Sequence, residues 1–217
     1  MNGCTLISIE GNIGSGKSTL VSILKEHYAN SKNIIFLKEP VDEWLEIMDS
    51  NRDNIINKFY SNQDKYSFSF QTLAYITRLN LLKKTFAENK NSIIISERSL
   101  YTDRYVFAKM LYDTGKMEEI NYLIYLKWFD SFISEFSIEK LIYVNTSVDN
   151  CFERIGKRNR DGESNIKLDY LIDCDRYHHN MIINKNIFPN QLILDGNINI
   201  FDEKDKVINI INNFIFN

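Results

Sequence analysis

Gly11-Asn12-Ile13-Gly14-Ser15-Gly16-Lys17-Ser18-Thr19 lies between an apolar run (Leu6, Ile7, Ile9) and an amphipathic one (Leu20, Val21, Ile23, Leu24). Strand, glycine loop and helix follow one another at the G-x-x-x-x-G-K-S spacing of a phosphate-binding P-loop. Glycines let backbone N–H groups turn inward around phosphate oxygens, and the helix N-terminus adds its positive end. At this spacing Lys17 reaches terminal phosphates and the Ser18 hydroxyl serves Mg²⁺. The glycine order is G-x-x-G-x-G rather than G-x-G-x-x-G, which disfavours a dinucleotide. The expected ligand is a nucleoside triphosphate, and the fold that carries such a loop is α/β.

The remaining 208 or so residues narrow what is done with it. A chain of 217 residues is expected to form one domain, 1–217, with a substantial core. The formal net charge of -3 argues against a nucleic-acid partner, which calls for a basic excess. The three cysteines, Cys4, Cys151 and Cys174, lack metal-ligand spacing and leave an odd one out, as expected of reduced intracellular thiols. Cys4 reads as a strand residue, Cys151 and Cys174 as helix residues. The glycine loop starts ten residues after Met1, which leaves no room for a leader, and no apolar run approaches the ~20 residues of a membrane span. A cytoplasmic protein without a membrane partner is the expectation.

Five short runs read as strands: Cys4–Ile9, Asn33–Leu37, Ser92–Ser96, Lys140–Asn145 and Gln191–Leu194. Most are nearly continuous in Ile, Val, Leu and aromatics, predicting strands buried on both faces. Helical patterns alternate with them, predicting a parallel sheet with helices on both faces. The first crossover helix runs to about Tyr28, and Val41–Asn91 holds more than one helix, with Asp64–Glu88 a single long one. Further helices are expected at Leu100–Asp113, Met117–Phe136, Val148–Lys157, Lys167–Asn184 and Lys204–Asn213, with a break at Thr114-Gly115.

Ligands of open α/β sheets gather at the carboxyl ends of strands. There the chain places the P-loop, then Glu39-Pro40, then Glu97-Arg98. Glu39 has the chemistry of a base that accepts the proton of a hydroxyl attacking a terminal phosphate. An acid and an arginine ending a buried strand need charged partners; Glu97 suits the metal or its waters, and Arg98 the transferred group or the acceptor. Arg154, Arg158 and Arg160 form the densest basic cluster of an acidic chain, which fits a mobile lid over phosphates at about 154–163 better than a solvated helix face. On the long helix Gln71, Ala74 and Arg78 share one face. A glutamine amide suits the hydrogen-bonding edge of a base. Phe70 and Trp44 can wall in a flat ring, Asp103 can pair with Arg78, and Phe107 completes the wall.

Taken together, the stretches GNIGSGKST (11–19), EPVDEW (39–44), FSFQTLAYITR (68–78), ERSLYTDRYVFA (97–108), RIGKRNR (154–160) and LDYL (168–171) resemble the deoxyribonucleoside kinase family. The resemblance spans nearly the whole chain and implies a P-loop kinase fold with a five-stranded parallel sheet, usually as a homodimer. It implies an ATP- and Mg²⁺-dependent phosphotransferase of nucleotide salvage and DNA precursor synthesis. By position it makes Glu39 the general base for the 5′-hydroxyl, with Arg98 near the 5′ end. Lys17 and Ser18 serve phosphates and Mg²⁺, and Glu97 stands on the metal side. Gln71 pairs with the base between Phe107 and the Trp44 and Phe70 walls, Tyr60 and Glu163 hold the sugar 3′-hydroxyl, and Arg154, Arg158 and Arg160 form the lid. Ala74, Arg78 and Asp103 resemble the branch that takes deoxycytidine, deoxyguanosine and deoxyadenosine, because the Arg–Asp pair occupies the space of a thymine methyl; thymidine is disfavoured. Residues 196–201, which would border the donor's adenine, run a residue longer than family loops.

Two other readings compete. A thymidylate kinase would carry Asp-Arg-Tyr/His directly after the third strand, whereas Asp103-Arg104-Tyr105 comes six residues late. A regulatory GTPase needs Asn-Lys-x-Asp, and Asn184-Lys185-Asn186-Ile187 lacks the aspartate. A catalytically dead nucleotide-binding scaffold sits badly with intact Lys17, Glu39, Glu97 and Arg98.

Overall fold

The computed structural model describes residues 3–158, 160, 162–183 and 187–217. The elements follow in the order β1 (Thr5–Glu10), α1 (Lys17–His27), β2 (Ile34–Leu37), α2 (Val41–Glu46), α3 (Ile55–Ser61), α4 (Gln63–Glu88) and β3 (Ile93–Glu97). Then come α5 (Leu100–Thr102), a π-helical turn (Asp103–Ala108), α6 (Lys109–Asp113), α7 (Glu119–Phe132), β4 (Lys140–Asn145) and α8 (Val148–Arg158). A 3₁₀ turn (Glu163–Asn165), α9 (Leu168–Ile182), β5 (Gln191–Asp195) and α10 (Lys204–Phe216) complete the chain. The strands form one parallel sheet in the order β2-β3-β1-β4-β5.

Alternation along each strand divides the core between the two faces of the sheet. Ile7, Ile9, Ile95, Ile142 and Val144 pack with α1 and α10. Leu6, Ile94, Leu141 and Tyr143 face the other way, toward α4 and α7. The inner strands are buried on both faces as expected. The edge strands are not: β2 is mostly half-buried, and β5 leaves Ile193 59 % exposed. An edge strand has a neighbour on one side only, which the composition of these runs does not reveal.

Helix starts follow local chemistry. The Asn54 and Asn62 side chains accept the backbone N–H groups of Asn57 and Lys65 at the starts of α3 and α4, and Ser99 caps α5 in the same way. Gly115, at φ +72°, makes the break between α6 and α7. Most element ends differ from the sequence reading by one to three residues, and a few differences bear on the site. Cys4 precedes β1, Glu97 is the last residue of β3, and Leu100–Asp113 is a helix with a π-turn at its centre. Chain 117–136 holds α7 and then a separate 3₁₀ turn, Ile133–Glu135. The far end expected for Lys167–Asn184 lies outside the described residues, as do Asp161 and the Asn184–Asn186 stretch.

The parallel register aligns Ile9 with Glu97 and Leu37 with Ser96. The P-loop, Glu39 and Glu97-Arg98 therefore leave the sheet at one level, above the central strand from which the connections diverge.

Candidate active site

The glycine loop folds as its spacing demands. Gly11 stands at φ +147° and a Cβ there would lie 2.7 Å from the Val144 carbonyl; Gly14, at φ +79°, would drive a Cβ into the Cys151 carbonyl. Neither position tolerates a side chain. Asn12 anchors the loop by donating from Nδ2 to the Leu171 carbonyl at 2.9 Å, and Thr146 Oγ1 donates to the Ser15 carbonyl at 2.9 Å. Lys17 is buried and donates to the Asn12 carbonyl at 2.6 Å. Burial, and after it the charge of Arg98, lowers its pKa to about 7 from the ordinary 10.5. An ammonium with so little hydration is poised for phosphate anions.

A cavity of about 330 Å³ opens beside the loop. Ile13, Gly14, Gly16, Lys17, Ser18 and Thr19 form its floor, and Glu39, Glu97, Arg98 and Asp103 bring charge to it. Trp44, Tyr60, Phe70, Gln71, Ala74, Phe107, Arg154, Arg158, Arg160 and Glu163 line the rest. Of the residues singled out in the sequence, Gly11, Asn12, Ser15 and Arg78 do not line the cavity. The first three shape the loop behind it, and Arg78 sits one layer back.

That layer organises the charges. Arg78 is buried; its Nε donates to Asp103 at 2.9 Å, Nη1 to the Glu97 carbonyl at 2.9 Å and Nη2 to Glu39 at 2.9 Å. The expected Arg78–Asp103 pair exists, and the same guanidinium also grips the carboxylate read as the base. Arg98 Nε approaches Glu39 at 3.2 Å from the other side. Burial pushes the Glu39 carboxyl up, but Arg98, Arg78 and Lys17 together outweigh it and hold the group below the usual carboxylate range. Glu39 is thus ionised and able to accept a proton at neutral pH. Arg98 itself has left-handed backbone, φ +65°, with its N–H donating to the Ile9 carbonyl at 3.0 Å. Such strain in a non-glycine residue persists where the surroundings over-determine it.

Ser18 Oγ donates to Glu97 Oε1 at 2.5 Å. Two oxygens at the mouth of a phosphate loop suit Mg²⁺, which keeps several waters and leans on substrate phosphates. Among the described residues no cluster of three or more His, Cys, Asp and Glu could hold a metal alone. The donor set therefore fits a cation that arrives with its phosphates.

At the other end the walls are aromatic. Trp44 meets Phe70 edge-on with ring centroids 5.4 Å apart, and its indole N–H is spent on Thr77 at 2.9 Å. Gln71 is buried, lines the cavity and makes no hydrogen bond to any described residue. Its amide opens onto the cavity, where a ligand with a complementary hydrogen-bonding edge can take the place of solvent. Tyr60 lies against Tyr170 at the rim, beside Glu163. Glu163 is ion-paired with Arg158 at 2.6 Å and Arg160 at 3.2 Å. Arg154 Nη1 donates to the Gly196 carbonyl at 2.8 Å and the Ser15 carbonyl at 3.3 Å. All three arginines line the cavity, and Arg154 also touches the P-loop. A second cavity, of about 300 Å³, shares Gly16, Thr19 and Arg154 with the first and continues along residues 195–201 and Val207. The P-loop therefore stands between two chambers.

Sequence reasoning missed Tyr170, Val41 and Ile56 on the cavity wall, and the buried Glu10, which receives Ser8 Oγ at 2.5 Å and the Thr102 hydroxyl. The EPVDEW and LDYL stretches contain Val41 and Tyr170 but assigned them no role. The Asp103-Arg104-Tyr105 triplet of the rival reading splits: Asp103 enters the site, whereas Arg104 faces Asp130 outside it at 2.7 Å. Cys151 and Cys174 are free, buried thiols; burial first, and for Cys174 against Arg98, pushes them up to about 11 and about 12, away from nucleophilic use.

Comparison with known proteins agrees with this geometry. The family model described as deoxynucleoside kinase matches residues 7–216. A probable deoxycytidine kinase of fowlpox virus (strain NVSL) is 32% identical over 213 residues, covering 95% of this chain and 85% of the viral protein. Deoxycytidine kinase 2 of Gallus gallus is 32% identical over 228 residues, 92% of this chain and 85% of its own length. Mitochondrial thymidine kinase 2 of Homo sapiens is 30% identical over 187 residues, 85% of this chain and 67% of the human protein. A P-loop beside a clamped carboxylate, an aromatic slot with an unpaired amide, and a family match over nearly the whole length lead to one conclusion: the chain belongs to the deoxynucleoside kinase family.

Proposed function

We propose that the protein transfers the terminal phosphate of ATP to the 5′-hydroxyl of a deoxynucleoside, with deoxycytidine and the purine deoxynucleosides preferred to thymidine, for nucleotide salvage. The observation that carries this reading is Gln71: an amide open to the cavity and bonded to no described residue, in the same cavity as an ionised, doubly clamped Glu39. The amide meets the Watson–Crick edge of the base while Trp44, Phe70 and Phe107 flank its faces. Tyr60 and Glu163 hold the 3′-hydroxyl. Glu39 takes the 5′-hydroxyl proton, and Arg98 steadies the group in transfer. Lys17 and the P-loop N–H groups bind the donor's phosphates, and Arg154, Arg158 and Arg160 close over them as a lid that excludes water. The donor's base enters the second chamber along residues 196–201. Ser18 and Glu97 would hold Mg²⁺, which would supply neutralisation of the phosphate charge.

The Arg78–Asp103 pair supports the substrate preference. Asp103 lines the cavity with Ala74, and the buried Arg78 behind it holds the carboxylate rigid as a polar block. A cytosine or purine offers an exocyclic group to it, whereas a thymine methyl finds no room and no partner.

The chain works as one domain and, we infer, as a homodimer. On α7 the large apolar residues Ile120, Leu123, Ile124 and Trp128 are all more than 40 % exposed, with Ile76 of the adjacent α4 similarly turned outward. Spaced at i, i+3, i+4 and i+8, they form one continuous face suited to a second copy of itself. No helix among the described residues is long and apolar enough to cross a membrane; the free thiols support a cytoplasmic reading.

A coupled ADP-release assay with deoxycytidine, deoxyadenosine, deoxyguanosine, thymidine and thymidine 5′-monophosphate, each offered separately, tests this reading. Turnover is expected on one or more of the first three, with kcat/KM for thymidine at least about tenfold lower. Turnover on the monophosphate alone would overturn the assignment.

A further inference from the structure

α9 passes behind Arg98 and presents His178 there, fully buried. His178 Nδ1 lies 2.7 Å from the Cys174 carbonyl one turn earlier. A carbonyl can only accept, so Nδ1 carries the hydrogen and Nε2 keeps a lone pair. That Nε2 lies 3.3 Å from Arg98 Nη1, and a guanidinium can only donate. Both neighbours therefore select the same neutral tautomer. Burial, and then the charge of Arg98, pushes His178 well below its ordinary pKa, in agreement with the geometry. Phe107 touches the imidazole edge-on and also lies against the guanidinium, whose Cζ is 5.0 Å from its ring centroid.

Counting donors shows what this achieves. The two Nη1 hydrogens go to the Gly11 carbonyl, at 3.0 Å, and to His178; Nε is turned to Glu39. Nη2 has no partner among the described residues. Without His178 one Nη1–H loses its acceptor, and the guanidinium plane is free to tilt on its remaining contacts to the Gly11 carbonyl and Glu39. We propose that His178 is a positioning residue, whose Nε2 lone pair fixes the roll of Arg98 so that Nη2 faces the transferred phosphoryl group. This rests on the reading above that Arg98 serves phosphoryl transfer.

The first test uses the wild-type enzyme. Its three histidines, His27, His178 and His179, are few enough to assign in a ¹⁵N-histidine NMR spectrum. His178 is expected as the neutral Nδ1–H tautomer throughout about pH 6–8; an Nε2–H tautomer or a protonated ring overturns the proposal. The second test is kinetic. His178→Leu should lower kcat about 10- to 100-fold, the scale of a misplaced catalytic group, with both KM values within about threefold. His178→Gln, which returns an acceptor at the ε position, should regain most of the loss. In an Arg98→Leu background His178→Leu should add less than about twofold, because the residue acts through Arg98. Unchanged kcat in His178→Leu, or independent multiplication of the two losses, overturns the proposal. If His178→Leu does not fold, the tautomer decides. A wild-type enzyme without nucleoside turnover would defeat the functional reading instead, and the tautomer measurement is independent of that outcome.

Discussion

Lys17 has two environments in its working life. In the free enzyme it is buried beside Arg98 and its pKa lies near 7; against phosphates the cation is favoured again. The pKa of the bound form is then above that of the free form, so binding takes up a proton above pH ~7. Affinity for ATP should fall as pH rises from about 7, by up to tenfold per unit, until the bound-state pKa is passed. Isothermal titration at about pH 8, where the free triphosphate is fully ionised, in two buffers of different ionisation enthalpy should report uptake of close to one proton. Titration without proton uptake would mean that Lys17 is already charged in the free enzyme. Lys17, Glu39, Glu97 and Arg98 were all legible in the sequence because each sits at a fixed offset from a strand end. His178, Tyr170 and Glu10 were not, because their partners lie elsewhere in the chain: Arg98 is 80 residues from His178, and Thr102 is 92 from Glu10.

Among the elements, α4 and the segment 100–113 do most to shape the acceptor side. α4 spans 26 residues, about 39 Å, and delivers Trp44's wall partner Phe70, then Gln71, Ala74 and Arg78 from one face. Its 3.6-residue period made that face readable in advance. The π-turn Asp103–Ala108 was not readable, since nothing in its composition departs from an ordinary helix. Yet it carries both Asp103 and Phe107 into the cavity, as π-turns often do at functional sites. The junction of the two elements is the buried Arg78 network. Arg78→Met would strand Asp103 and leave Glu39 with Arg98 alone, and should cost about 3–5 kcal/mol. The melting temperature should fall by about 6–20 °C at this chain length. A loss under about 1 kcal/mol in denaturant titration would show that the network is solvated rather than buried.

At the level of the whole molecule, alternating strands and helices announced a parallel α/β sheet, and the family resemblance its strand number. Strand order was hidden, because it depends on which runs pair across long separations, from Leu141 with Gln191 to Ile7 with Lys140, and so was the exposure of the edge strands β2 and β5. The order matters to function: it sets β3 between β2 and β1, so that Glu39 and Arg98 converge on the P-loop. The proposed homodimer would use the exposed apolar face of α7. Leu123→Asp with Trp128→Glu should convert a dimer to a monomer in sedimentation equilibrium while leaving the fold intact by circular dichroism. A wild-type chain that sediments as a monomer would instead assign that face another role.

Both substrate halves meet at Glu39, which joins the P-loop, the two arginines and the nucleoside slot. The most direct measurement of the account is therefore transfer of γ-³²P from ATP to deoxycytidine by the wild type and by Glu39→Gln, alongside deoxycytidine binding to each. The wild type should yield the 5′-monophosphate; Glu39→Gln should bind the nucleoside within a few-fold but lose about 10²–10⁴ in kcat. A variant that keeps its turnover, or loses nucleoside binding alone, would contradict the assignment of Glu39 as the base.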